Sequence, residues 1–260
     1  MNNEAQFETE LIQYLTDGRI SKPEHLNSIG NLDVVEDSVV GYHLSSKKWK
    51  YEPTIKTTED LWNNFKKILE QQNQNILENP LSASEFYQVK KIISQIPTPY
   101  AAGQFLYGLN GVSQIGINLD NGRHVFLTIF DQTQIGAGDT VYQIVNQIER
   151  PAVIIGKQNR RFDTTLLING LPIIQIEEKH NTHDVNEALN QMHQYADESQ
   201  YRDIFSTLQI LVAITPNNVK YMANTTSDKF NKDFAFNWQR KKDNSVVRNW
   251  KEFADSMLSI

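Results

Sequence analysis

Cysteine is absent from the 260-residue chain. That absence excludes disulfides and thiolate metal sites, and it favours a cytosolic compartment. The chain also lacks any run close to the ~20 apolar residues of a membrane-spanning helix. Its first residues show neither the basic region nor the apolar stretch of a signal peptide. We therefore expect a cytoplasmic protein with no membrane partner.

Several catalytic motifs are missing as well. Gly136–Thr140 contains two glycines but no Gly-Lys-Ser/Thr, and no Walker motif occurs elsewhere, so we predict a plain turn there rather than a phosphate loop. The chain has no Gly-x-Ser-x-Gly elbow and no cysteine nucleophile. Its chemistry, if it is an enzyme, must be carried by other groups.

An excess of positive charge is also absent, because the net charge is −6 and the pI is about 5.5. This charge argues against a domain that wraps nucleic acid through bulk charge. A nuclease remains possible, since its metal pocket must be acidic. Most of its DNA affinity would then come from another domain or from partner subunits.

Hydrophobic periodicity and turn signals predict alternating helices and strands. We predict helices over 4–15, 58–75, 82–96 and 184–195, and strands over 112–118, 124–130, 152–155, 208–214 and 219–223. Segment 141–148 fits either type, and 33–51 fits a hairpin.

The most informative stretch is 161–179, which reads as two apolar strands joined by Asn169-Gly170. Asp163 lies in the first strand, and the second ends in Glu177-Glu178-Lys179. Because strand side chains alternate, Glu177 and Lys179 project together and Glu178 points the other way. Two carboxylates and an amine are typical of a site that holds Mg²⁺ and cleaves phosphodiesters.

The hairpin register tests this hypothesis. A regular two-residue turn places Asp163 opposite Ile176, on the face away from Glu177, where the two acids cannot share an ion. A three-residue loop with Gly170 in the left-handed position places Asp163 opposite Gln175, with Glu177 as a diagonal neighbour. We therefore predict a one-residue offset, at the turn or at a bulge.

The sequence of this stretch resembles that of the PD-(D/E)xK nucleases, and specifically that of the restriction (R) subunit of type I restriction–modification enzymes. The similar motifs are Arg161-Phe-Asp163, the Thr-Leu-Leu-Ile-Asn-Gly-Leu-Pro hairpin, Gln-Ile-Glu-x-Lys179 and the later Gln191-x-x-x-Tyr195. The recognisable part runs from about 138 to 238. One departure is Glu178, at a position that is usually apolar in the family. We expect Glu178 to lie at a frayed strand end.

The resemblance implies an α/β (α+β-like) fold with a mixed central sheet flanked by helices. It implies one nuclease domain over 1–260, with its catalytic core at about 138–240. Asp163 and Glu177 would bind Mg²⁺ with help from the Glu178 carbonyl. Lys179 would orient or deprotonate water, or neutralise charge in the transition state.

Three further residues are candidates. Gln191 and Tyr195 share one helix face, and the resemblance implies that they hold nucleic acid or the catalytic strand; the alternative is a partly buried polar–aromatic pair. Glu8 resembles the acid that the first helix often supplies in this fold. The alternative is an early-helix glutamate favoured by the helix dipole.

The resemblance also implies partners: double-stranded DNA, and the methylation and specificity subunits of a restriction complex. The family's R subunit contains an ATP-driven translocase, which this chain is too short to include, so we expect a fragment of a longer polypeptide. Two alternatives are a stand-alone or repair-type nuclease and a non-catalytic assembly module. A zinc site formed by His180, His183 and His193 is a third, less favoured alternative.

Overall fold

The computed structural model describes residues 3–16, 49–136, 138–180 and 182–259. The helices are α1 (Asn3–Thr16), α2 (Thr58–Gln72), α3 (Ala83–Ser94), α4 (Pro99–Tyr107), α5 (Val185–Asp197) and α6 (Trp250–Phe253), the last followed by a wider turn, Ala254–Leu258. The strands are β1 (Lys50–Tyr51), β2 (Val112–Asn118), β3 (His124–Asp131), β4 (Tyr142–Arg150), β5 (Arg160–Ile168), β6 (Leu171–Glu178), β7 (Ile210–Thr215) and β8 (Asn218–Ala223).

Three of the predicted helices begin at reciprocal capping interactions. Thr57, Ser82 and Asp184 each accept a hydrogen bond from a backbone N–H in the first turn of α2, α3 and α5. An acid three residues later bonds back to the capping residue in each case. These bonds satisfy backbone donors that helix geometry leaves free, which explains why the helices start where they do.

The central sheet has six strands in the order β1-β4-β5-β6-β7-β8. β1 runs parallel to β4 and β6 runs parallel to β7, while the remaining neighbours are antiparallel. β2 and β3 form a separate antiparallel hairpin. The predicted mixed sheet flanked by helices, a restriction-endonuclease-like arrangement, is confirmed.

Both faces of this sheet are covered by apolar clusters. One face packs against α2, α3, α5 and the β2–β3 hairpin, with Phe65, Phe162 and Tyr195 among its buried members. The other packs against α1 and the C-terminal segment, through residues such as Leu11 and Trp250. Consecutive side chains of β5 and β6 therefore enter different environments.

Two segments differ from their predicted structure, and a third lies almost entirely outside the described residues. The segment Pro99–Tyr107 forms α4, which the sequence analysis missed, and 152–155 is an exposed connection rather than a strand. The predicted hairpin over 33–51 falls almost entirely outside the described residues, which include only Trp49, Lys50 and Tyr51 of it. Among the described helices, none combines the length and apolarity needed to cross a bilayer.

Candidate active site

The β5–β6 hairpin closes through a two-residue turn. Asn169 and Gly170 have φ of 50° and 80°, and Ile168 pairs with Leu171. Left-handed backbone at both positions matches the right-handed twist of the strands, and Asn-Gly is the pair that best tolerates it. The three-residue loop considered above is therefore not formed.

The predicted one-residue offset is present, but at a bulge. Leu167 pairs with Pro172 while Leu166 pairs with Ile174, so Ile173 is the extra residue in β6. A bulge of this kind changes which residues face each other beyond it.

Beyond the bulge, Thr164 pairs with Ile176, so continuing the register by one residue sets Asp163 opposite Glu177. The expected pairing of Asp163 with Gln175 was wrong, because the extra residue lies in β6 and shifts the register in the opposite direction. Gln175 pairs with Thr165, whose hydroxyl donates to the Gln175 side chain at 2.7 Å. The conclusion that mattered, both acids on one face, is confirmed.

Short contacts join the three residues of the predicted triad. The Lys179 ammonium lies 3.4 Å from Glu177 Oε1 and donates to the Glu178 carbonyl at 2.9 Å. The Glu178 N–H donates to Asp163 Oδ2 at 3.1 Å. The Lys179 N–H donates to the Ile214 carbonyl of β7, which fixes the end of β6.

These groups lie in a poorly solvated, negatively charged environment. Burial and the nearby Asp163 charge raise the pKa of Glu177 well above its usual range, and burial also raises the pKa of Asp163. Burial works to lower the pKa of Lys179, but the charges of Glu177, Asp163 and Glu4 outweigh it and leave that pKa raised. The lysine is therefore held in its charged form.

The position of Glu178 corrects an expectation. The strand does not fray there, because β6 extends to Glu178, which pairs with Ile214 and is 2% exposed. Both carboxylate oxygens of Glu178 are buried without a hydrogen-bond partner. Burial, followed by the charges of Asp163 and Glu8, raises the pKa of Glu178 well above its ordinary value.

Glu8 of α1 also reaches this region. Its carboxylate accepts hydrogen bonds from the side-chain amides of Asn146 and Gln147, both at 2.9 Å. Burial raises the pKa of Glu8, the two amides lower it, and the Asp163 charge raises it further. The structure therefore places Glu8 within electrostatic range of Asp163, and its hydrogen bonds go to β4 rather than to the β5–β6 hairpin.

Sequence reasoning missed the residues that surround Glu8. Gln147 lies across from Asp163 in the β4–β5 ladder and has φ of 56°, which interrupts the regular pairing. Lys56 donates to the Asn146 side chain at 2.6 Å, and the Tyr51 hydroxyl donates to the same oxygen at 2.9 Å. These residues lie in weak strand or loop patterns that gave no signal, because only the folded sheet brings them together.

Gln191 and Tyr195 lie on the face of α5 that meets the hairpin. Gln191 donates to the Tyr195 hydroxyl, which is 3.4 Å from Glu177 Oε1 and 3.4 Å from the Arg161 carbonyl. The Tyr195 ring packs on Phe162, 4.9 Å away. The pair therefore contacts the β5–β6 hairpin from the α5 side, and it is also partly buried, as the alternative required.

The histidines do not converge. His183 contacts Glu187, His193 lies 3.6 Å from Asp197, and His180 bonds Thr182, all local contacts. In the part of the chain that the structure describes, no group of three or more histidine or acidic side chains is arranged to hold a metal. The zinc alternative therefore has no support among these residues.

A hard cation fits a different donor set. Glu177 Oε2 is buried with no donor in hydrogen-bonding distance, the Asp163 side chain interacts with the Glu177 side chain, and the Glu178 carbonyl and Glu177 Oε1 contact the same Lys179 ammonium. A buried acceptor left unpaired costs about 1–3 kcal/mol. Mg²⁺ commonly takes one or two carboxylates and keeps several waters, so Asp163, Glu177 and the carbonyl are a suitable set.

Comparison with known proteins places the chain in a family. Residues 33–230 match the model of the type I restriction enzyme R protein N terminus. The EcoprrI type I restriction enzyme endonuclease subunit of Escherichia coli is 36% identical over 137 residues, which cover 52% of this chain and 42% of that protein. The corresponding SauMSSORF170P subunit of Staphylococcus aureus is 27% identical over 206 residues, 79% of this chain and 21% of the relative. The chain therefore matches less than half the length of each of these relatives. Because the family model matches more than half of the chain, the chain belongs to the type I restriction enzyme R protein N-terminal family.

Proposed function

We propose that this chain is a Mg²⁺-dependent endonuclease domain that cleaves double-stranded DNA within a type I restriction enzyme. The observation that carries the proposal is the meeting of Asp163, Glu177 and Lys179 at the end of one bulged hairpin. The family match supports it, since the relatives are named as endonuclease subunits.

In this proposal Asp163 and Glu177 hold the ion, together with the carbonyl of Glu178. The bound ion would supply charge neutralisation and an activated water. Lys179, held charged beside Glu177, is suited to orient that water or to stabilise negative charge developing on the phosphate. A charged lysine is a poor proton acceptor, so we favour these roles over deprotonation of water.

The proposal extends to the larger assembly. We propose that 1–260 is a single nuclease domain, with its catalytic core at about 138–240, in a longer R polypeptide that also carries an ATP-driven translocase. The small share of each relative that aligns with this chain, 42% and 21%, supports this arrangement. Methylation and specificity subunits would choose the DNA site.

The central experiment compares cleavage, ATP hydrolysis and assembly in the complete restriction enzyme. Asp163→Ala and Lys179→Ala should abolish cleavage while ATP hydrolysis and assembly continue. Lys67→Ala, which removes an exposed lysine of α2, is the matched control and should cleave normally. Cleavage by the two site variants would refute the assignment, and loss of assembly would instead favour a non-catalytic assembly role.

Metal binding can be measured without catalysis. Addition of Mg²⁺ should raise the melting temperature of the chain, because a ligand at a hundred times its Kd stabilises the folded state by about 2.7 kcal/mol. Asp163→Asn and Glu177→Gln should each remove most of that increase. An equal increase in these variants would place the ion elsewhere.

A further inference from the structure

The connection between β4 and β5 is an exposed turn with internal hydrogen bonds. Every residue from 151 to 159 is exposed, although the sequence pattern favoured a strand over 152–155. The Lys157 N–H donates to the Ile154 carbonyl at 3.1 Å, and Gly156 has φ of 86°. The Ala152 N–H donates to the Asn159 side chain at 2.9 Å. We call residues 151–159 the β4–β5 tip.

The tip presents three consecutive apolar side chains to solvent. Val153 is 44% exposed, Ile154 39%, and Ile155 103%. Single exposed apolar residues are common and need no explanation. A contiguous exposed group of them marks an interaction site more often than a single residue does. Because the turn holds Ile155 in solvent, this side chain does not pack against the protein's own core.

The chain segment that contains the tip carries only positive side chains, although Glu149 faces Arg161 across the β4–β5 ladder. Residues 150–161 contain Arg150, Lys157, Arg160 and Arg161 and no acid, in a chain whose net charge is −6. Two of these cations are already used inside the fold: Arg150 is buried and donates to the Gln200 carbonyl, and Arg160 is paired with Glu198 at 2.6 Å.

Lys157 and Arg161 remain exposed, and among the described residues neither forms an ion pair. Exposed cations close to an apolar turn complement a polyanion with an apolar interior. Duplex DNA has this character, with phosphates outside and apolar base faces stacked inside, where apolar side chains can wedge between base steps from the minor groove.

The position of the tip fits a duplex placed on the carboxylates. Arg161 is two residues from Asp163, and Ile155 is eight residues away, which is at most about 26 Å of extended chain. One turn of B-DNA is about 34 Å long. DNA with a phosphate at Asp163 and Glu177 would therefore pass within reach of the tip before completing one turn.

We propose that the β4–β5 tip and the adjoining Arg161 of β5 form a DNA-contact element, in which Lys157 and Arg161 bind backbone phosphates and Ile154 and Ile155 enter the minor groove. The inference rests on the proposed nuclease function. A neighbouring domain of the parent polypeptide is the competing occupant, but the absence of any acid in the tip favours the anionic partner.

The test measures DNA binding separately from cleavage, in a chain that carries Asp163→Ala. Fluorescence anisotropy with a 30-base-pair duplex is recorded at several low salt concentrations. Lys157→Gln with Arg161→Gln should weaken binding about tenfold and reduce the slope of log affinity against log salt by about two, because two phosphate contacts are lost. Ile154→Ser with Ile155→Ser should weaken binding several-fold and leave that slope unchanged.

Matched controls remove equivalent groups elsewhere. Lys67→Gln with Lys91→Gln removes two exposed lysines from α2 and α3, and Leu109→Ser removes an apolar side chain that is 81% exposed. These controls should bind DNA as the parent chain does. All substituted residues are exposed, and thermal unfolding would verify that each variant folds.

The outcomes separate the two proposals. Tip variants that bind DNA like the parent chain, or a parent chain that binds no duplex at low salt, overturn the DNA-contact element. Loss of association with the rest of the R polypeptide, with DNA binding intact, identifies a protein-docking role and also overturns it. If Asp163→Ala still cuts DNA while the tip variants lose binding, the catalytic assignment fails and the DNA contact stands.

Discussion

Glu177 and Glu178 are neighbours in β6, equally buried, yet they differ in every contact of their side chains. Glu177 lies beside the Lys179 ammonium and the Tyr195 hydroxyl, each 3.4 Å from its Oε1. Both oxygens of Glu178 lack a partner, and its side chain enters the α1 face, near Glu8. Strand alternation thus places the first glutamate beside the Lys179 ammonium and the second on the α1 face, where the like charges of Asp163 and Glu8 act on it.

The main chain of Glu178 behaves differently from its side chain. Its N–H donates to Asp163 and its carbonyl accepts from Lys179. The backbone of this residue therefore joins the three catalytic candidates, whatever the side chain is. This explains how an unusual residue at this position can leave the geometry of the site intact.

The largest expected contrast comes from one isosteric change made at each position. Glu177→Gln should lower cleavage by about a hundred- to a thousandfold, because it removes a charged metal ligand from a buried site. Glu178→Gln should leave cleavage close to the wild-type rate, because the backbone groups it contributes are unchanged. Cleavage assays of the assembled enzyme measure both. Equal losses would show that the side chain of Glu178 takes part in the chemistry.

A second contrast concerns stability rather than cleavage. Glu178→Leu should increase the free energy of unfolding of the metal-free chain by about 1–3 kcal/mol, because a buried carboxylate without partners is replaced by an apolar group of similar size. Urea unfolding in the presence of a chelator measures it. Glu10→Leu, at an exposed position of α1, should change stability by no more than about 0.5 kcal/mol. A destabilised Glu178→Leu protein would mean that the carboxylate has a partner within the folded chain, such as the nearby Thr164 hydroxyl.

The stability difference between the wild-type chain and Glu178→Leu should depend on pH. The folded-state pKa of Glu178 is raised above the ordinary 4.5, so above pH 4.5 the unfolded chain releases a proton that the folded chain retains. Stability therefore falls as pH rises from 4.5 towards the folded pKa, by at most about 1.4 kcal/mol per pH unit for one group. Glu178→Leu should remove this part of the slope. Glu198, whose pKa is lowered by Arg160, contributes the opposite trend in both proteins and loses its contribution below pH 4.5.

Local signals predicted much of this architecture. Capping residues and apolar periodicity located α2, α3 and α5, and alternation in a hairpin with an Asn-Gly turn placed Glu177 and Lys179 on one face. The need for a one-residue offset followed from geometry alone. The place and direction of this offset could not be predicted, because the bulge at Ile173 depends on packing that the sequence does not display.

The misses also have physical reasons. α4 was missed because proline usually marks the end of a helix, whereas here Thr98 caps a new helix with Pro99 in its first turn. The run Ala152–Ile155 has strand composition but no neighbouring strand to pair with. Glu178 looked too polar for the core, and its burial follows from pairing with Ile214, a contact between residues distant in sequence.

The smallest expected effect tests whether α5 supports Glu177 alone. Tyr195→Phe keeps the ring packed on Phe162 and removes only the hydroxyl near Glu177, so it should cost about 0.5–1.5 kcal/mol of stability and less than tenfold in cleavage. In a double-mutant cycle, residues in contact couple and independent ones add. Tyr195→Phe should therefore cost less stability in a Glu177→Gln background than in the wild type, and the full amount in a Glu178→Gln background. Equal coupling to both glutamates would mean that the hydroxyl acts through the β6 backbone, and that the two faces of the strand are less independent than their contacts indicate.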